Sequence, residues 1–183
     1  MGIYKETRER TKNNLVNSFW SIYENKSIDK ITIKEITDKA GYNRATFYIY
    51  FKDVYDILQC IENQLLGVFE NSKNFKIEDL GKEELVKYSI ELFNENASYF
   101  HVLLSPKGDP FFAEQYKKKL KVQLYYTIEK NNSFPEKYSD FVLEFLAAGI
   151  ISCILYWYES QPFPVEDLIS IIFKIMTTGT LPE

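Results

Sequence analysis

The sequence holds one histidine, His101, and two cysteines, Cys60 and Cys153. That is too little for most zinc sites, a His-rich catalytic centre or a disulfide framework. Both cysteines lie in apolar segments without C-x-x-C spacing, which points to a reducing compartment and no metal. Seven glycines and six prolines in 183 residues are too few for a turn-rich β protein or a disordered linker. A nucleophile–base pair, a Walker loop and a dinucleotide fingerprint are also missing, so neither an enzyme nor a cofactor is expected. The start, MGIYKETRERTKNN, lacks the apolar stretch of a signal peptide and the Ser or Thr of a myristoylation motif. The most apolar run, Phe145 to Tyr158, has 14 residues, against about 20 for a membrane span. It predicts a helix buried in a core or an interface of a cytoplasmic protein, with no membrane partner.

What is present is unevenly distributed. The first 52 residues hold ten Lys or Arg against six Asp or Glu; the remainder holds twelve against twenty. A basic head on an acidic body fits a nucleic-acid module joined to a body with another task, although scattered solvated charge gives the same totals.

Within the head, Leu15, Phe19 and Ile22 recur at helical spacing, predicting a helix from Thr7 to Lys26 that Ser27 and Asp29 interrupt. Thr32 and Glu35 have capping-box spacing at the start of TIKEITDKAG. Ile33, Ile36 and Ala40 give that helix an inward side, and Gly41 ends it. Asn43 is a natural N-cap for Arg44 to Phe51. There Phe47 and Phe51 lie about 40° apart and can close over Ile36 and Ala40. Ala45 and Ile49 point away, with Arg44, Thr46, Tyr48 and Tyr50 on the flanks. Two short helices about a glycine turn form a helix-turn-helix whose second helix is the candidate groove reader. An outward Ile49 among three hydroxyl-bearing side chains suits a flat, anionic partner.

From Thr32 to Phe51, the T-x-x-E-I-x-x-x-A-G core and the T-F-Y-x-Y-F close, followed by Lys52, resemble the DNA-binding segment of TetR-family transcriptional regulators. The match covers about residues 7 to 60. The resemblance implies that Thr32 donates to a phosphate at its helix start. It makes Thr46, Tyr48 and Tyr50 phosphate contacts, with Tyr48 alternatively completing the packing of the module. Arg44 becomes a reader of guanine or a phosphate clamp, tuned by Tyr42, Asn43 and Ala45 beside it, and Lys52 adds charge at the rim. Family members often carry a lysine just after the aromatic close. Here Val54 and Tyr55 stand in that region, so the contact is lost or passes to Lys52.

Beyond Val54, helical patterns run near 54–70, 81–95, 97–104, 110–131, 137–159 and 164–178. The breaks fall at Asn71–Asn74, Ser105–Pro110, Asn131–Pro135 and Gln161–Pro164. The expected fold is all-α with about nine helices: a three-helix helix-turn-helix domain over 1–53, then a helical ligand-binding and dimerisation domain over 54–183. Lys117 to Lys119 and Lys121 read as a solvated helix face rather than a second DNA site, given the acidic body. The last two helices are the most apolar, and Ala147, Ala148, Gly149 and Ser152 permit close helix approach. The resemblance makes that pair a four-helix homodimer interface, presenting two reading helices to a palindromic operator on double-stranded DNA. It also places an inducer cavity among the middle helices. Tyr88, Phe93, Phe100, His101, Tyr125, Tyr126 and Trp157 are candidates to line it around a small apolar or aromatic ligand; plain core packing is the alternative for each. The expected function is a homodimeric repressor released from its operator by a small molecule. The alternative is a ligand-independent DNA-binding protein whose body is a protein-interaction or architectural module.

Overall fold

The computed structural model describes residues 2–69, 81–129 and 136–178. These form eight α-helices: α1 (Gly2–Tyr23), α2 (Ile33–Ala40), α3 (Arg44–Tyr50), α4 (Val54–Gly67), α5 (Lys82–Leu103), α6 (Pro110–Glu129), α7 (Ser139–Ser160) and α8 (Val165–Thr178). No strand occurs among the described residues. The expected breaks at Asn71–Asn74 and Asn131–Pro135 lie outside the described residues. Two compact units divide the chain, Met1–Leu65 and Leu66–Glu183, and the division falls within α4.

In the first unit α1 packs on α2 and α2 on α3. Helix α1 begins earlier than its apolar periodicity suggests, because the polar ETRERTK run continues the helix without contributing to the core. Leu15, Phe19, Ile36 and Phe47 are completely buried and Phe51 is nearly so. Phe19 stacks on Tyr23 with ring centroids 5.5 Å apart, and Phe47 tilts on Phe51 at 5.6 Å. On α2 the inward side differs slightly from the pattern read in sequence. Thr37 is buried while Ile33 and Ala40 are only half-buried. The Thr37 hydroxyl donates within its own helix to the Ile33 and Lys34 carbonyls, 2.9 and 3.1 Å away, which makes its burial inexpensive.

The ends of α2 are tightly specified. Thr32 Oγ1 accepts from the Glu35 amide at 3.2 Å, and Glu35 Oε2 accepts from the Thr32 amide at 2.9 Å, which completes the capping box. Lys26 Nζ holds the other carboxylate oxygen at 2.6 Å. The Lys26 ammonium, followed by the Thr32 amide and hydroxyl, lowers the Glu35 pKa to about 2. At the other end Gly41 takes φ +75°, and the Tyr42 amide donates to the Thr37 carbonyl at 2.9 Å in a Schellman-type closure. Asn43 Oδ1 then caps α3, accepting from the Thr46 amide at 2.8 Å.

In the second unit α6 packs on α7, α5 on α8, and α7 on α8. The separate helices expected at 81–95 and 97–104 are the two halves of α5. Asn96 breaks its regularity (φ −123°, ψ 15°) and donates its side-chain amide to the Leu92 carbonyl at 2.9 Å. The apolar run from Phe145 to Tyr158 is the centre of a longer helix, α7. Its 22 residues are long and apolar enough, by length and composition, to cross a bilayer. Here one side of α7 is in the core: Leu143 and Ala147 pack with Leu124 of α6. Lys117 and Lys121 of α6 both bond Glu144 of α7, and Lys118 pairs with Glu114. The basic cluster thus ties two helices together.

A side chain built on Gly41 meets no atom within 4 Å, so replacing it should cost only backbone strain. Gly41→Ala should destabilise the first unit by about 1 kcal/mol, measured by urea unfolding through Trp20 fluorescence in a Trp157→Phe background. Glu35, whose folded pKa is depressed to about 2, stabilises fully above its ordinary value of 4.5 and progressively less as pH falls towards 2. The stability gap between wild type and Glu35→Gln should therefore be widest near pH 6 and shrink by pH 3 in the same assay.

Candidate functional site

Helix α3 is seven residues long and is held by one buried edge. With Phe47 and Phe51 directed inward, the helical period places Ile49 diametrically opposite them and Ala45 beside it. Arg44, Ala45, Tyr48 and Ile49 are all exposed, Tyr48 by 59% and Ile49 by 64%. Tyr48 rests edge-on against Phe47, centroids 5.8 Å apart, so packing fixes its ring while most of its surface stays open. Tyr50 is half-buried against Phe51. Lys52 is exposed just beyond, its backbone amide donating to Asp56 Oδ2 at 2.8 Å. Asp53 Oδ1 caps α4 by accepting from the Tyr55 and Asp56 amides, both at 2.9 Å.

Several candidates already have partners inside the head. The Thr32 amide and hydroxyl both donate to Glu35 Oε2 at 2.9 Å, so a phosphate at this position has to draw Thr32 away from that carboxylate. Thr46 Oγ1 donates to Asn43 Oδ1 at 3.1 Å, tying the two candidates to each other. Tyr42 is half-buried, and its hydroxyl accepts from Asn14 Nδ2 of α1 at 3.1 Å. That bond, then Thr11 and the nearby Arg10 charge, lowers the Tyr42 pKa. Tyr42 thereby fastens the turn to α1, and Arg10 joins the basic rim.

Sequence periodicity singled out neither Arg10 nor Tyr55, which is 56% exposed at the start of α4. The signal for Arg10 was the charge density of KETRERTK, which becomes spatial once α1 is known to begin at Gly2. Ile49 stood out in sequence as an apolar residue facing outward, and it occupies the centre of the exposed face. The surface can therefore offer a guanidinium, hydroxyls and a central aliphatic group to one partner. This mix suits phosphates at the flanks and base edges or a thymine methyl in the middle.

In the second unit, helices α5, α6, α7 and α8, together with Val68 and Phe69, line a partly open pocket of about 110 Å³. Of the aromatic candidates, Tyr88, Phe93 and Phe100 are in its wall. His101 is exposed and stacks on Tyr158 with centroids 4.8 Å apart. Tyr125 and Tyr126 are 41% exposed, and Trp157 donates its indole N–H to the Phe163 carbonyl at 2.8 Å. These four lie outside the wall. Tyr116, Phe69 and Phe173 line it instead. Tyr116 was not singled out because it sits in a Lys-rich stretch whose buried side appears only after packing.

The outer side of α7 carries a stripe at helical spacing: Phe141 (82% exposed), Phe145 (77%) and Tyr156 (69%). Exposed Ala148, Gly149 and Ser152 lie along the same stripe. Of the small residues noted in the sequence, Ala147 is on the opposite, buried side.

No protein of curated function matches this sequence. A sequence model described as the transcriptional regulator C-terminal region, of TetR type, matches residues 82–178. Solved structures share the fold. A TetR transcriptional regulator from Streptococcus agalactiae 2603V is 24% identical, with a TM-score of 0.66 over 96% of this chain and 98% of that one. The fatty acid degradation regulator FadR from Bacillus halodurans is 14% identical, with a TM-score of 0.67 over 92% and 95%. The dihydroxyacetone kinase operon activator DhaS is 18% identical, with a TM-score of 0.63 over 91% and 93%. With a helix-turn-helix head at one end and the family's C-terminal region matched across more than half of its length, the chain belongs to the TetR family of transcriptional regulators.

Proposed function

We propose that this regulator is a cytoplasmic, homodimeric repressor that holds a palindromic operator and releases it when a small molecule enters the second unit. The observation that carries the reading is the outward face of α3, where Ile49 and Tyr48 are exposed on a helix whose other edge is fully buried. An aliphatic side chain at the centre of an exposed, hydroxyl-rich face is unfavourable in water and favourable in a major groove. On this reading Arg44, Ala45 and Ile49 meet base edges, while Tyr48, Tyr50, Thr46 and Lys52 meet phosphates. Thr32, Tyr42 and Asn43 hold the turn and add contacts at its edge. The acidic body carries the dimer face along the α7 stripe, with α8 beside it. The pocket favours ligand control over the ligand-independent alternative, because a body serving only as an adaptor has no need of a largely apolar recess.

The first test is fluorescence anisotropy on DNA from beside the protein's own gene, at several salt concentrations. Specific binding well above that to scrambled DNA, with a steep salt slope, is expected. Equal, weak binding to both overturns the reading. Arg44→Ala should cost about 1–3 kcal/mol and relax one operator position; uniform weakening across operator variants would make Arg44 a phosphate contact. DhaS is described as an operon activator. A reporter strain lacking this gene decides the sign, and derepression is expected. For the interface, a Cβ on Gly149 meets nothing within 4 Å in the isolated chain. Gly149→Leu should therefore leave helicity and melting of the protomer intact while shifting mass by light scattering from dimer to monomer.

A further inference from the structure

On α3 the helical period sorts the outward side chains into three rows. Ala45 and Ile49, one turn apart and both exposed, form the row opposite Phe47. Arg44 and Tyr48 form the row on one flank, and Thr46 and Tyr50 the row on the other. Both flanks are polar, but no side-chain atom of the central row can donate or accept a hydrogen bond. The nearest polar groups at the helix start are used on each other. Asn43 Oδ1 accepts from the Thr46 amide at 2.8 Å and from the Thr46 hydroxyl at 3.1 Å.

The chemistry of the major groove decides what such a row can read. Guanine offers N7 and O6 there, adenine N7 and its N6 amino group, and cytosine its N4 amino group. An aliphatic side chain laid over any of these removes water from a polar edge and returns no hydrogen bond, which is unfavourable. Thymine alone carries an apolar group in the groove, its C5 methyl. Burying that methyl against Ile49 takes apolar surface out of water on both partners. Arg44 is the single charged side chain of α3, so the reading of a guanine edge belongs to its flank and not to the centre.

We infer that each operator half-site presents a thymine to Ile49, recognised through its C5 methyl and not through a hydrogen bond, and that Ile49 is a specificity-determining residue. Ile49 carries this contact because it is 64% exposed and reaches further than Ala45. Ala45 lies about 6 Å away along the helix, close to two base-pair steps of about 3.4 Å, so its smaller contact falls on a different base pair. The inference rests on the operator-binding reading above and names the base and the atom that the surface recognises.

The test starts by selecting binding sites for the full chain from a random double-stranded DNA library. Each thymine of the selected operator is then replaced in turn by deoxyuridine, which keeps the base pair and lacks only the methyl group. Affinity is read by fluorescence anisotropy. At one position, changed in both half-sites, binding should weaken by about tenfold to twentyfold, which is about fourfold for each buried methyl. Ile49→Ala should bind the thymine operator about as weakly as wild type binds the uracil one, and the same replacement should then have little further effect. Because Ile49 is exposed, this variant should melt like wild type. An operator insensitive to every uracil replacement, or a uracil penalty undiminished in Ile49→Ala, would overturn the inference while leaving operator binding in place. A selection that enriches no sequence would overturn operator binding itself, and this inference with it.

Discussion

A helix of seven residues has no stability of its own in water, so everything that α3 presents depends on burying Phe47. That side chain is fully enclosed with Ile36 and Phe19, and Phe51 closes the same edge. The anchor fixes the rotation of the helix, and rotation decides which residues face outward. Once Phe47 is inside, Ile49 cannot be, because two positions along a helix are about 200° apart. The capping residues perform the complementary task of fixing where the helix begins. Asn43 engages the Thr46 amide, and Gly41 supplies the left-handed turn that brings Asn43 there. The head thus constrains a short, exposed helix through local chemistry at its start and one buried edge along its side.

The second unit solves a different problem. Helix α7 is apolar on both sides, with Leu143, Ala147 and Ile154 in the core and Phe141, Phe145 and Tyr156 outside. A helix that is apolar all round requires apolar surroundings all round. The core supplies half of them. The small residues along the outer stripe let another helix approach closely, and that is the reason for assigning this side to a second copy. Glu144, held by Lys117 and Lys121, marks where the apolar character yields to an ion-paired seam with α6.

Much of this was legible in the residues themselves. Thr32, Glu35, Gly41 and Asn43 act over three or four residues, and such local bonds require no knowledge of the tertiary fold. The interruption of α5 was legible for the same reason. Asn96 competes for backbone carbonyls, so the helix reads as two pieces, although packing carries it through as one. The cavity wall was not legible. Tyr116 and Tyr125 are both tyrosines on α6, yet one is buried and the other is 41% exposed. Only the arrangement of α5, α7 and α8 around that helix distinguishes them. Thr32 illustrates a second limit. Its place at a helix start was readable, but the engagement of its hydroxyl by Glu35 depends on where Lys26 holds the carboxylate.

The two sides of α7 also bear on how a ligand could act under the proposed reading. Ile150 and Ile154 face the cavity, while Phe145, Gly149 and Tyr156 lie on the uncovered stripe of the same helix. An occupant and a second copy would therefore press on one rigid element from opposite sides. A ligand changes operator affinity only if it binds one arrangement of the dimer better than the other. A ligand that seats against Ile150 and Ile154 can supply that difference. Where an occupant displaces α7, the stripe on the far side of that helix moves with it.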